Sequence, residues 1–183
     1  MRFSDTKIPG VILVEPELRE DSRGFFARVF CREEFRAHGL VDHIEQSSLS
    51  FNQRRGTVRG MHFQIAPHEE TKVVACVEGR VFDVAIDVRR ASPTFGQWFG
   101  IELSAENRRQ LYLPAGIAHG FQTLDDRSTV LYQISTPFHP ESARGIRWND
   151  PTLAIAWPIS DDVVVSDKDR GWPDWAQAVA ELI

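Results

Sequence analysis

Short runs of β-branched and aromatic residues, each cut off within a few positions by Gly, Pro or Asp, recur along almost the whole chain. That pattern is the mark of many antiparallel strands and not of alternating strand–helix units. Candidate strands fall at 11–14, 24–30, 46–51, 57–63, 72–77, 80–88, 96–103, 109–113, 119–123 and 129–135. Glu78-Gly79, Ser92-Pro93-Thr94 and Pro114-Ala115-Gly116 separate several of them as turns. Only 32–38 and 174–182 space their apolar residues three and four apart, as helices do. Ten strands in 183 residues would leave long exposed edges unless they curl up, so the expected fold is mostly β, an antiparallel barrel or double-sheet jelly roll with a few short helices. No repeat, linker or low-complexity tract divides the chain, and one domain over 1–183 is expected. The proline-rich stretch 137–158 is irregular and is expected to wrap the barrel.

Charge and composition exclude several classes of function. The formal net charge is −5, and the arginines are scattered among acids, so no nucleic-acid surface is expected. The opening residues MRFSDTKIPG lack the apolar core of a signal peptide, and no run reaches the length of a membrane span. A cytoplasmic location is expected. Cys31 and Cys76 have no zinc-like spacing and read as reduced thiols without an activating partner.

Period two assigns faces. In 80–88 it puts Phe82, Val84, Ile86 and Val88 on one side and Asp83 and Asp87 on the other. Lys72 shares a face with Val74 and Cys76, and Tyr132 with Val130 and Ile134. In Val58-Arg59-Gly60-Met61-His62-Phe63-Gln64, alternation joins His62 to Gln64 but sets Arg59 opposite. For Arg59 and His62 to reach one cavity, a bulge near Gly60 is required.

Two local patterns resemble cupin motifs: Pro114-Ala115-Gly116-Ile117-Ala118-His119, and Gly56 followed six residues later by His62. The metal-binding form of the second pattern continues His-x-His, but Gln64 stands at the second histidine position here. Longer segments narrow the resemblance. Asp21-Ser22-Arg23-Gly24-Phe25-Phe26, Arg55 through Gln64, Ser92-Pro93-Thr94, Pro114 to Phe121, Tyr132, Gly145 to Pro151 and Ser166-Asp167-Lys168-Asp169 are similar to the dTDP-4-dehydrorhamnose 3,5-epimerases, in that family's order and over nearly the whole chain.

The resemblance implies an epimerase that inverts C3 and/or C5 of a nucleotide-diphosphate-linked 4-keto-6-deoxy sugar, without metal or cofactor. Such chemistry needs a base, a group to stabilise the enolate oxygen, and an acid on the opposite face. By resemblance His62 is the base, Asp169 its carboxylate partner, Tyr132 the proton donor and Lys72 the cation beside the C4 oxygen. His119 and Asp83 are expected beside the same pocket, Arg59 and Arg23 on the phosphate side, and Gln46, Ser50, Phe26 and Phe138 among the substrate contacts. The family also implies a homodimer in which the N-terminal strands cross over, so that Arg23 and Phe26 complete the partner's pocket. His68 and His139 lie in loop-like stretches and read as solvated. Family members commonly carry Glu, Asn, Lys and Tyr near Arg28, Ser48, Gln133 and Phe138, and all four positions differ here. Two other readings remain open at this point. One is a metal-dependent cupin with His62, Glu70 and His119 as ligands; the other is a non-catalytic sugar-nucleotide-binding cupin.

Overall fold

In the computed structural model, which describes residues 1–180, the chain begins with β1 (Arg2–Asp5), β2 (Ile12–Glu15), the hairpin β3 (Leu18–Asp21) and β4 (Gly24–Ala27), and α1 (Arg32–Ala37). The main body follows as β5 (Gln46–Asn52), β6 (Thr57–Gln64), β7 (Lys72–Glu78), β8 (Arg80–Asp87), β9 (Trp98–Ser104), β10 (Gln110–Leu113), β11 (Ile117–Thr123) and β12 (Ser128–Ile134). It closes with β13 (Ala143–Gly145), β14 (Val164–Val165), α2 (Asp167–Arg170) and α3 (Trp175–Ala180). The helix expected over 174–182 is present as α3, and its last two positions lie outside the described residues.

The strands form two facing sheets, ordered β1-β2-β10-β7-β12-β5 and β13-β6-β11-β8-β9, with β14 added to β6. The ladders are antiparallel except for the short β14–β6 pairing. Side chains of both sheets meet in a central core of Val74, Cys76, Val81, Ala85, Leu111, Phe121 and Val130, among others. Here the period-two assignment becomes physical. Val81 and Ala85 face this core, while Phe82, Val84, Ile86 and Val88 point the other way. The outer face is covered in turn by Ile146, Leu153, Ile155, Trp157 and Trp175, so the segment after 137 does wrap the sheet. A strand buried on both faces reads as a near-continuous apolar run, as β8 does.

On the outside of the other sheet, α1 buries only Phe35, against Phe3, Phe30 and Tyr112. Four strands escape the sequence pattern. β1 and β3 expose almost every residue, and β13 and β14 are only three and two residues long. The run expected over 24–30 ends at Ala27, because Arg28 turns away to Glu34 at 3.8 Å and Phe30 packs on Phe35.

Candidate active site

At one end of the sandwich the central core gives way to a cavity of about 250 Å³. One wall comes from β6 and β11, the facing wall from β5, β7 and β12, and the rim from the segments around Phe138, Arg144, Lys168 and Trp172. The strand faces explain the change. Lys72 continues the face of Val74 and Cys76, and Tyr132 that of Val130, so each strand packs a core at one end and presents a functional group at the other.

A bulge in β6 sets the first wall. Against β11, His62 pairs with His119 and Arg59 with Phe121, so β6 spends three steps where β11 spends two. The extra residue falls at Gly60-Met61 and brings Arg59, His62 and Gln64 into one cavity. Glycine is required there: a Cβ on Gly60, at φ +139°, would lie 2.5 Å from the Cα of Gly120.

The bulge also helps to hold Asp169. β14 runs beside Thr57 and Val58 and delivers α2, whose N-cap Ser166 accepts a hydrogen bond from the Asp169 amide at 3.1 Å. The carboxylate is then 2.6 Å from His62 Nε2 through Oδ1, and Oδ2 accepts from the Gly60 amide at 3.3 Å. Trp172 Nε1 donates to the same Oδ1 at 3.2 Å, and the indole stands edge-on to the imidazole. Burial by itself would raise the Asp169 carboxyl, but the hydrogen bond and charge of His62, with the Gly60 and Trp172 donors, outweigh it and hold the group below the usual carboxylate range. Asp169 therefore stays ionised.

Tyr132 stands on the opposite sheet. Burial, aided by the negative charge of Asp83, pushes its phenol far above its ordinary range, so the hydroxyl keeps its proton. Lys72 Nζ lies 2.7 Å from Glu70 Oε1 and 3.4 Å from the His62 carbonyl, and Glu70 supplies the counter-charge that a nearly buried ammonium needs. His119 lines the cavity but is committed through Nε2 to Asp83 at 2.8 Å. Asp83 is fully buried beneath it and is not part of the lining. The donor set His62, Glu70 and His119 is thus not assembled for a metal: its members turn to Asp169, Lys72 and Asp83 respectively.

Other expected contacts are placed differently. Gln46 lies outside the lining and accepts from the Phe138 amide at 3.2 Å, because that edge-strand side chain turns along the sheet to the loop. Ser50 is also outside the lining, two residues beyond Ser48, which does line it. Arg23 and Phe26 sit on the exposed β3–β4 hairpin, away from this chain's own cavity, with Arg23 paired to Asp21 at 2.6 Å. Arg59 lines the cavity and is steadied by Asn52 Oδ1 at 2.7 Å. Sequence reasoning missed Arg144, Lys168 and Trp172 as lining groups; only Lys168, inside Ser-Asp-Lys-Asp, carried a signal. Of the four unusual positions, Ser48 and Phe138 line the cavity, while Arg28 and Gln133 do not.

Cys76 is no nucleophile here, since burial pushes its thiol up to about 11.

Two facing sheets with a carboxylate-bound histidine on one wall and a protonated phenol on the other define a cupin-type jelly roll equipped for proton transfer. Comparison with known proteins narrows the class. The profile described as dTDP-4-dehydrorhamnose 3,5-epimerase matches residues 5–177. The chain is 45% identical over 179 residues to the dTDP-4-dehydrorhamnose 3,5-epimerase of Pseudomonas aeruginosa, covering 97% of this chain and 98% of the relative. Its fold is similar to that of the dTDP-6-deoxy-D-glucose-3,5-epimerase of Legionella pneumophila Philadelphia 1 in complex with dTDP-4-keto-L-rhamnose, at TM-score 0.93 and 39% identity over 100% of this chain and 96% of the other. It is also similar to a 3'-monoepimerase of Streptomyces bikiniensis in complex with dTDP-quinovose, at TM-score 0.90 and 34% identity over 97% and 90%. The chain belongs to the dTDP-4-dehydrorhamnose 3,5-epimerase family.

Proposed function

We propose that this protein inverts C3 and/or C5 of a dTDP-linked 4-keto-6-deoxy sugar by proton transfer through an enolate. The observation that carries the reading is the placement of His62 and Tyr132 on opposite walls of one cavity. Inversion requires a proton to leave one face of the sugar and another to arrive on the other. With Nε2 held by Asp169, Nδ1 of His62 is the ring nitrogen left to take the proton beside the ketone. Asp169 stabilises the imidazolium that results, Lys72 faces the charge gathering on the C4 oxygen, and Tyr132 returns a proton from the far side. The cavity lining holds Arg59, Lys72, Arg144 and Lys168 against one acid, Glu70, a balance that suits a diphosphate. No step needs a metal or a redox cofactor, since only protons move.

The protein is further proposed to act as a homodimer in the cytoplasm, with Arg23 and Phe26 of each β3–β4 hairpin completing the partner's pocket. Support comes from Phe26, 65% exposed on a hairpin that meets neither cavity wall of its own chain. No helix among the described residues is long and apolar enough to cross a membrane.

The test is solvent exchange. Given dTDP-4-keto-6-deoxyglucose in deuterated water, the protein places deuterium at C3, C5 or both, and product NMR assigns which. His62→Asn lowers exchange by roughly 10²–10⁴-fold, while Tyr132→Phe impairs inversion more than the first proton abstraction. A protein that binds the nucleotide sugar and exchanges nothing would overturn the proposal.

A further inference from the structure

Away from the cavity, one trio of possible metal ligands stands together among the described residues: His68, His139 and Glu141, whose ligand atoms all lie within 4.8 Å of one another. The two histidines are not free in solvent, as loop residues were expected to be. Their rings stack face to face, 3.5 Å apart and 10° from parallel, with the side chains 30% and 33% exposed. The reason lies beneath them. Gln64, at the foot of β6, donates to the carbonyls of His68 (2.9 Å) and Pro137 (3.2 Å) and accepts from the His139 amide (2.6 Å). One buried amide side chain thus pins the loop after β6 to the segment after β12, and the imidazoles come together above it.

The donors converge. Nδ1 of His139 is 3.1 Å and Nδ1 of His68 3.8 Å from the same oxygen, Oε1 of Glu141. Two imidazole nitrogens and a carboxylate oxygen are a donor set for a borderline divalent ion, and the exposed Glu141 side leaves room for water to complete the shell. We infer that His68, His139 and Glu141 form a binding site for Zn²⁺ or a related ion such as Ni²⁺, separate from the proton-transfer centre. Ligation through Nδ1 of His68 displaces its hydrogen bond with Ser142 Oγ, now 2.9 Å. A bound ion cross-links the loop after β6 to the segment carrying Phe138 on the cavity rim.

The experiment is equilibrium dialysis of untagged, chelator-stripped protein against ZnCl₂, with Co²⁺ absorption as a second readout. Wild type and His62→Ala are expected to bind one Zn²⁺ per chain, with His68→Ala and His139→Ala at least tenfold weaker and Glu141→Gln weakened less. Circular dichroism checks that each variant is folded, and a Co²⁺ d–d spectrum lost only in the trio variants gives the same answer independently. Absence of saturable binding to wild type overturns the inference, as does Zn²⁺ binding that survives His139→Ala but is lost in His62→Ala.

Discussion

Oδ1 of Asp169 accepts from two donors at once, His62 Nε2 and Trp172 Nε1, and the second fixes the direction in which the first is held. The indole reaches this position because residue 145 is glycine; a Cβ there would lie 2.3 Å from the Trp172 ring. Trp172→Phe keeps an aromatic wall, though a smaller one, and removes the N–H. A hydrogen bond to a charged group contributes about 1.5–3 kcal/mol, and with part of that lost from the transition state kcat is expected to fall roughly tenfold while KM stays near wild type. Steady-state kinetics on the 4-keto sugar separates the two; an unchanged kcat would show that Trp172 only fills space. The same residue shows where sequence reasoning stops. The resemblance of whole segments to the family pointed to His62, Tyr132, Lys72 and Asp169; the first three line the cavity, and Asp169 stands behind His62 at 2.6 Å. Trp172 and Arg144 come from a stretch without period two, and nothing local says which way they turn. Gln46 and Ser50 share a strand face with Ser48, which lines the cavity, and the face alone does not say how far along the strand the cavity reaches.

At the scale of elements, β6 is the strand on which the site depends, and its bulge is the one irregularity that period two itself demanded. Gly60→Ala places a Cβ against Gly120 Cα and forces a side-chain-bearing residue to φ +139°. The expected destabilisation is about 2–4 kcal/mol, in the range of strained and overpacked sites. Gly39→Ala, at φ +70° with nothing within 4 Å of the added methyl, serves as the control and costs about 1 kcal/mol. Chemical denaturation ranks the two, and equal midpoints would mean that the bulge relaxes freely. Strands buried on at least one face could be read from the chain because burial imposes alternation. β1, β3, β13 and β14 could not, since their pairing is decided by neighbours brought in from elsewhere: β14 exists only because β6 lies beside it. The four-residue α2 is invisible for the same reason, although its N-cap Ser166 was in plain view.

For the molecule as a whole, two devices have measurable consequences. Asp87 ties the β8–β9 connection through Arg89 (2.7 Å), Ser92 (2.6 Å) and Thr94 (2.7 Å). Burial would raise this carboxyl, but those donors overcome it and bring it to about 2. A depressed folded-state value means that its stabilisation is complete above the unfolded carboxylate range, near pH 4, and is lost as pH falls through about 2. The contribution is of order 2 kcal/mol, so Asp87→Asn should flatten the acid limb of the stability curve between about pH 4 and 2 as well as lower the plateau. Urea midpoints against pH measure both, and parallel wild-type and variant curves would assign the acid loss elsewhere. The second device is the exposed β3–β4 hairpin. Phe25 and Phe26 are 50% and 65% exposed, and β5, at the edge of its sheet, leaves Leu49 68% and Phe51 47% exposed. If hairpins are exchanged between two copies, each pocket takes His62 from one chain and Arg23 from the other. His62→Asn and Arg23→Ala homodimers would then both be impaired, yet in the mixed dimer one of the two sites has every native group. Half of a randomised mixture is mixed dimer, so activity should recover to roughly a quarter of wild type after the subunits are exchanged. Light scattering confirms the dimer and mass spectrometry of differently labelled chains confirms the exchange. A mixture that demonstrably exchanges and yet recovers nothing would place Arg23 outside the partner's pocket, and the hairpin would then be an interface element alone.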